Sequence, residues 1–567
     1  MTSAKKKAAE AKAYMLSLAG ENRLLPSIPE GAPSVPCQNG VFVGKEEGGV
    51  LAFRGIPYAQ PPVGPLRWKD PVPANNASEI HEAYYFGKSP IQTEWPSEVG
   101  SYYPRGEDCL TLNVWTNPAG PAAGKPVMVF FHGGSYGWGA ASDPIYDGRN
   151  LVRKFPDLVL VTVEYRMGIM GFIDFSAVPG GEAYRTSGNL GLLDQACALR
   201  WVRENIAAFG GNPENVTIFG ESAGGGSAAL LPLMKEARGL FRRVIAQSGS
   251  VALTYSRKEC QHLTRLLLKH SRCGTMTELL ALSEAELMKL NEKLNDSNNF
   301  PERDGVVLPE DLYGAWDDPA LKDLDFLTGT NADECRYWIN EMGYYVPWLS
   351  GRFVYSTAVP MMYENNLLVM SGEEKAAAAA YVAKQKGKLA WRVTGYNNEL
   401  LFRLPSAETA ARHARAGGRS YVYFWTMPCA NPEIGACHAI ELSYVFCNPH
   451  VDIYTGGLYH EALGDAVQRM WVSFARRGDP GTADHPWEPY TPETRRTMIL
   501  GDPIHMASDP GKEDREQLQP LLRHYFNGCY SQLRLDVPHT RRIILKLTAV
   551  FGGFLLLVFL IILLFHR

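Results

Sequence analysis

The sequence predicts an α/β fold with a mostly parallel central sheet flanked by helices. Three observations carry this. Short apolar runs alternate with helical stretches along most of the chain. Residues 127–131 and 158–163 are apolar or β-branched almost throughout, as strands buried on both faces are. A third run, residues 216–219, passes straight into Gly220-Glu221-Ser222-Ala223-Gly224 and then into Ala228-Ala229-Leu230-Leu231. That order is strand, very tight turn, helix. The G-x-S-x-G pattern fits a turn that lifts Ser222 to the carboxyl end of a strand. The helix that follows points its free N–H groups back at the serine.

Composition narrows the function classes. A chain of 567 residues suits one large domain or two smaller ones, and 46% hydrophobic with 20% charged residues is ordinary for an enzyme with a sizeable core. A net charge of −4 gives no electrostatic case for a nucleic-acid partner. Ten cysteines are too dilute for a disulfide scaffold, and no C-x-x-C occurs. No metal or cofactor is expected.

The first 30 residues, rich in alanine and lysine, predict a polar surface helix or tail. They hold no sustained apolar run, so no secretory signal peptide is expected. The main domain is expected over 31–535. Within it, 41–43 and 50–53 read as short strands around a glycine-rich turn, and the prolines of 54–64 forbid a helix. Residues 110–115 alternate as a strand does. The run 127–131 ends at His132-Gly133-Gly134-Ser135, and Gly188-Asn189-Leu190-Gly191 opens a long helix. Asn212-Pro213-Glu214-Asn215 reads as a turn before the serine strand. After the serine helix, Val244-Ile245-Ala246 leads to Gln247-Ser248-Gly249. Residues 259–294 turn helical, and 326–331 form a strand leading to Asp333-Glu334. Helices are expected at 373–386, 407–416 and 465–477, a strand at 421–425, and a loop at Gly435-Ala436-Cys437-His438. The serine and the His132-Gly133-Gly134 segment both follow strands, so they can meet at the carboxyl edge of the sheet.

The far C-terminus differs. Residues 547–565 carry no charge and no polar face. As a helix they span about 28 Å at ~1.5 Å per residue, close to the hydrocarbon thickness of about 30 Å. A transmembrane helix is expected at 543–565. Arg541, Arg542 and Lys546 precede the uncharged run 547–565, which places the main domain on the cytosolic side of a single-pass tail anchor. Asn527-Gly528-Cys529 with its polar spacer would alternatively suit a lipid-anchor signal, a route that needs secretory entry.

Taken together, the serine turn, H-G-G, E-D-C-L-T-L-N-V and G-A-C-H make the chain resemble the type-B carboxylesterase family. This is the carboxylesterase and cholinesterase branch of the α/β hydrolases. R-G-I-P-Y-A-Q-P-P-V-G, G-N-L-G-L-L-D-Q, Q-S-G, G-T-N-A-D-E, H-A-I-E-L and F-A-R-R-G-D-P extend the resemblance over most of the chain. It implies the α/β-hydrolase fold and hydrolysis of carboxylic esters, small or lipid-like, through an acyl-enzyme. Ser222 matches the family nucleophile, His438 the base and Glu334 the acid, with Asp333 the competitor for that last role. The resemblance points to Gly134, Ser135 and Ala223 as oxyanion-hole donors. The family's third glycine is Ser135 here, and a glycine after the acid is Cys335. Cys260 and Cys273 resemble a family disulfide, whereas Cys109 faces Ile91 where its partner would stand. Trp95, Tyr102 and Tyr103 depart from the choline-site spacing, and no choline site is assigned. The alternative is a non-catalytic adhesion or binding module on the same fold. The filled triad positions argue against it.

Overall fold

The computed structural model describes residues 13–526 apart from 15, 94–103, 119–122, 295–298, 340–350 and 452. An eleven-stranded sheet forms its centre. In chain order the strands are β1 (Lys45–Glu46), β2 (Leu51–Pro57), β3 (Thr111–Thr116), β4 (Lys125–Phe131), β5 (Val159–Val163), β6 (Gly211–Glu221), β7 (Arg243–Gln247), β8 (Asp325–Asn331), β9 (Arg419–Trp425), β10 (Arg496–Leu500) and β11 (His505–Ser508). In space they run β11-β10-β9-β8-β7-β6-β4-β5-β3-β2-β1. From β10 through β5 every neighbouring pair is parallel. Both edges turn antiparallel.

Burial explains the central runs. Every residue of β4, β5 and β7 is buried, because helices cover both faces. Phe130 of β4 packs at 4.9 Å from Phe219 and edge-on at 4.8 Å from Phe446. Removing such a buried ring costs roughly 3–5 kcal/mol. The helix α1 (Leu190–Asn205) is tied to the end of β5 by a buried ion pair, with Arg166 Nε and Nη2 at 2.8 and 2.7 Å from Asp194.

Local differences from the expectations have physical causes. Residues 212–215 belong to β6 as an irregularity: Lys125 pairs with Gly211 while Val127 pairs with Val216. A small four-stranded sheet joins Leu24–Leu25, Ser34–Cys37, Asn39–Val43 and Ala77–Glu82. The expected tail is therefore docked well before residue 31. Arg54 Nη2 donates to Tyr14 Oη at 2.8 Å, and Leu18 is buried.

The Cys260–Cys273 disulfide is not formed, and both thiols are free. Cys260 lies in the first turn of a helix, Arg257–Ser271, and Cys273 lies beyond its end. The helix rise separates Cys260 from Ser271 by about 16 Å. Two further residues cannot bring the Cα atoms within the roughly 7 Å a disulfide allows.

Among the described residues no helix is long and apolar enough to cross a membrane. The segment expected at 543–565, the tripeptide Asn527-Gly528-Cys529 and the aromatic residues Trp95, Tyr102 and Tyr103 lie outside the described residues.

Candidate active site

Five neighbouring parallel strands, β4, β6, β7, β8 and β9, deliver their following segments to one edge of the sheet. That is where the crevice of an open α/β sheet forms. Ser222 sits between β6 and the helix α2 (Ala223–Leu230) with φ +57° and ψ −121°. A serine in this region is strained, and its neighbours must hold it there. Its N–H donates to Gln247 O at 2.9 Å, and its carbonyl accepts from Gly226 N at 2.8 Å. Gly224 lets the helix approach: a Cβ there would stand 1.9 Å from Phe131 O.

The segment after β4 passes over the serine. A Cβ on Gly133 would lie 3.1 Å from Ser222 Cβ. Gly134 at φ +109° is held by Gly137 N and Trp138 N, which donate to its carbonyl at 2.9 and 3.0 Å. A Cβ at Gly134 would meet Trp138 O at 2.0 Å. Ser135 takes φ +52°, a glycine-like angle, so the serine replacement keeps the loop path at a backbone cost of about 1–2 kcal/mol. Among the described residues the N–H groups of Gly134, Ser135 and Ala223 have no acceptor. His132 beneath the loop is fully buried, and its carbonyl accepts from Tyr165 Oη at 2.7 Å.

Glu334 is fully buried and fully engaged. Its Oε2 lies 2.6 Å from His438 Nδ1. Its Oε1 accepts from Ser248 Oγ at 2.6 Å and from Asn331 N at 2.7 Å. Asp333 turns elsewhere: it accepts from Ala436 N at 3.0 Å and pairs with Arg336, pinning the loop that carries His438. Cys335 has an ordinary negative φ in a 3-10 turn, so the family's glycine is not required there. Its N–H donates to Asn398 Oδ1 at 2.9 Å.

The imidazole of His438 is walled by aromatic rings. Trp338 stacks on it at 5.5 Å and Phe402 lies at 4.9 Å. Its Nε2 makes no hydrogen bond among the described residues, to Ser222 Oγ or otherwise. It lies 3.2 Å from Glu221 Oε1, outside hydrogen-bond alignment. The structure thus joins Glu334 to His438 and brings the oxyanion loop over Ser222, but leaves the Ser222–His438 hydrogen bond unmade. Such bonds often tighten only once substrate is bound.

Burial alone would depress the pKa of His438. The carboxylates of Glu221, Glu334 and Glu441 outweigh it and hold the value up at about 9. Burial drives Glu221 the other way from an ordinary carboxylate, well upward, against the pull of His438. Glu221 and His438 therefore compete for one proton.

Sequence reasoning gave no role to Glu221, Gln247, Ser248, Asn331 or Glu441. Asn331 Nδ2 donates to Glu441 Oε2 at 2.8 Å, and Gln247 Nε2 to Glu441 Oε1 at 3.1 Å. These residues build a polar floor around Glu334 and His438. The signal was present in Q-S-G and G-T-N-A-D-E, both at strand ends.

Comparison with known proteins agrees with this geometry. A family model described as the carboxylesterase family matches residues 31–517. The para-nitrobenzyl esterase of Bacillus subtilis is 35% identical over 508 residues, covering 86% of this chain and 98% of that protein. Liver carboxylesterase B-1 of Rattus norvegicus is 31% identical, covering 83% and 91%. The crystal structure of a Geobacillus stearothermophilus carboxylesterase superposes with a TM-score of 0.75 at 33% identity, covering 86% of this chain and all of that one. The sheet order and these neighbours establish the α/β-hydrolase fold. The chain belongs to the carboxylesterase family and is a serine carboxylic-ester hydrolase.

Proposed function

We propose that the chain cleaves carboxylic esters through an acyl-enzyme on Ser222, with His438 as base and then acid and Glu334 as its orienting carboxylate. The observation that carries this reading is the 2.6 Å contact between His438 Nδ1 and buried Glu334, at the strand edge that also presents Ser222. In the reading, Nε2 leaves Glu221 and takes the Ser222 proton as Oγ attacks the ester carbonyl. The oxygen that becomes negative accepts from the N–H groups of Gly134, Ser135 and Ala223; one such donor is worth roughly 10²–10³ in rate. The alcohol departs with the proton from His438. Water, deprotonated by His438, then releases the acid and restores Ser222. Apolar acyl or alcohol groups suit the site, because Tyr337, Trp338 and Phe402 surround the imidazole.

The proposal includes a single-pass anchor at 543–565 with the enzyme on the cytosolic face. Its support is the uncharged run 547–565 and the basic residues before it. Carbonate-resistant membrane association that is lost on deleting 543–567 is the expected result.

The deciding experiment is hydrolysis of short- and medium-chain p-nitrophenyl esters by the full chain and its Ser222→Ala variant. Saturable turnover lost in the variant supports the reading. Equal rates from two folded proteins overturn it.

A further inference from the structure

The loop between β9 and His438 brings two cysteines together. Cys429 and Cys437 are both free thiols, and their side chains hydrogen-bond each other. The backbone holds them there. Cys429 N donates to Gly435 O at 2.8 Å, closing the loop on itself. Both ends of the loop also meet one neighbouring segment: Ala430 N donates to Thr455 O at 3.0 Å, and Cys437 Sγ to Tyr454 O at 3.8 Å.

The two sulfurs are unequal. Cys429 is 6% exposed and lies between the exposed Pro428 and Ala430, whereas Cys437 is 1% exposed. As a thiol, Cys429 donates to Asn431 O at 3.2 Å. As a thiolate it is stabilised by the Cys437 thiol and, against the cost of burial, by the N–H groups of Asn431 and Gly435, which hold its pKa down at about 6. The contact with Cys429, together with burial, pushes Cys437 well up. A thiolate near the surface with a second thiol beside it is what peroxides oxidise.

The acyl-enzyme cycle uses neither sulfur, yet Cys437 immediately precedes the base. Its carbonyl accepts from Asn331 Nδ2 at 2.9 Å. Its sulfur touches Tyr454, whose ring packs at 5.7 Å on Tyr337, itself 6.1 Å from the His438 ring.

We propose that Cys429 and Cys437 form a modification site, at which a hydroperoxide closes a disulfide that displaces His438 and slows ester hydrolysis. The Cys429 thiolate attacks one peroxide oxygen. The O–O bond breaks, an alkoxide (hydroxide from hydrogen peroxide) leaves and takes a proton from water, and Cys429 becomes a sulfenic acid. The Cys437 sulfur then attacks the Cys429 sulfur. The S–O bond breaks, and hydroxide leaves with the Cys437 proton as water. The two thiols lose two electrons, and the peroxide is reduced to an alcohol and water. The S–S bond of about 2.05 Å is shorter than a non-bonded contact by more than about 1 Å. Closing it therefore draws Cys437, and His438 with it, toward Cys429. The effect on rate rests on the reading of His438 as the base; the oxidation does not.

The test treats the native full chain with hydrogen peroxide and then with dithiothreitol, reading linkage and kcat. Cleavage after Arg419, Glu433 and Glu441 leaves Cys429 alone on residues 420–433 and Cys437 alone on 434–441, so the disulfide joins two peptides that mass spectrometry can identify. Peroxide should produce the joined pair and lower kcat for a p-nitrophenyl ester by roughly 10–100-fold, the cost of a misplacement of about 1 Å. Dithiothreitol should reverse both. Cys429→Ser and Cys437→Ser should hydrolyse the ester within a few-fold of the wild type and keep that rate under peroxide. Absence of the joined pair, a joined pair with unchanged kcat, or an equal peroxide loss in the two serine variants overturns the proposal. An untreated chain without ester turnover would instead overturn the acyl-enzyme reading, and the linkage would still decide the modification.

Discussion

His438 and His413 are both buried histidines on loops or helices flanking the same sheet, yet their surroundings send them in opposite directions. His413 Nδ1 lies 2.8 Å from Ser420 Oγ, and Nε2 lies 3.1 Å from Leu321 O. Both nitrogens are spoken for by neutral partners, and burial pushes its pKa down to about 4. His438 gives Nδ1 to a carboxylate, keeps Nε2 unpaired, and has its pKa held up at about 9. Burial is common to the two. The difference lies in buried carboxylates and in a ring nitrogen left without a hydrogen bond. A histidine satisfied on both sides is a packing element, whereas one satisfied on a single side can exchange a proton.

The largest effect should come from exchanging the two roles. His438→Gln should lower kcat/KM for a p-nitrophenyl ester by roughly 10⁴–10⁶, as loss of a triad base does. His413→Gln should leave kcat/KM within a few-fold and lower stability by about 1–3 kcal/mol. Comparable losses of activity in the two folded variants would break the distinction. Glu334→Gln keeps the shape but removes the charge that orients the imidazole, so a fall of roughly 10³–10⁴ in kcat is expected.

A smaller effect isolates the second carboxylate. A base must be neutral to act, so the acid limb of kcat/KM should lie above the ordinary histidine value of 6.5, toward about 9. Glu221→Gln removes a negative charge 3.2 Å from Nε2. The limb should move down by about one to two pH units, because one unit corresponds to ~1.4 kcal/mol of interaction. A limb that stays in place would show that Glu221 is neutral throughout and exerts no charge on His438.

Much of this site was legible in the sequence, for reasons tied to particular residues. The run 216–219 followed by G-x-S-x-G reads as strand, turn and helix, and both glycines are needed there, since a Cβ on Gly220 would stand 2.4 Å from Gly224 C and one on Gly224 1.9 Å from Phe131 O. The apolar runs at 127–131 and 158–163 state double-sided burial directly. The partnership of Glu334 with His438 spans 104 positions in the chain. Local pattern cannot supply it; the resemblance did. The polar floor of Gln247, Ser248, Asn331 and Glu441 was illegible because each residue type is ordinary alone and gains meaning only when two neighbouring strand ends converge with the start of the short helix after His438. The disulfide expectation failed for a local reason. The cysteine spacing resembled a closed loop, but the capping box of Ser256 and Glu259 starts a continuous helix through that loop.

The smallest effect in activity is the sharpest in stability, since the two histidines should tilt the pH dependence of folding in opposite senses. Folded His413 titrates near 4 against an ordinary 6.5. Between those values the unfolded chain binds a proton that the folded chain refuses, so this stability is lost as pH falls from 6.5 toward 4. Folded His438 titrates near 9. Its contribution is complete below 6.5 and is lost as pH rises toward 9, where the unfolded chain has already released its proton. Urea unfolding across pH 4–9 of the wild type, His413→Gln and His438→Gln tests this, with each difference curve removing what other groups contribute. His413→Gln should narrow its deficit only below 6.5, and His438→Gln only above it. Difference curves of the same slope would mean that burial, and not the carboxylates, governs both rings, and the contrast between a packing histidine and a proton-transfer histidine would fail.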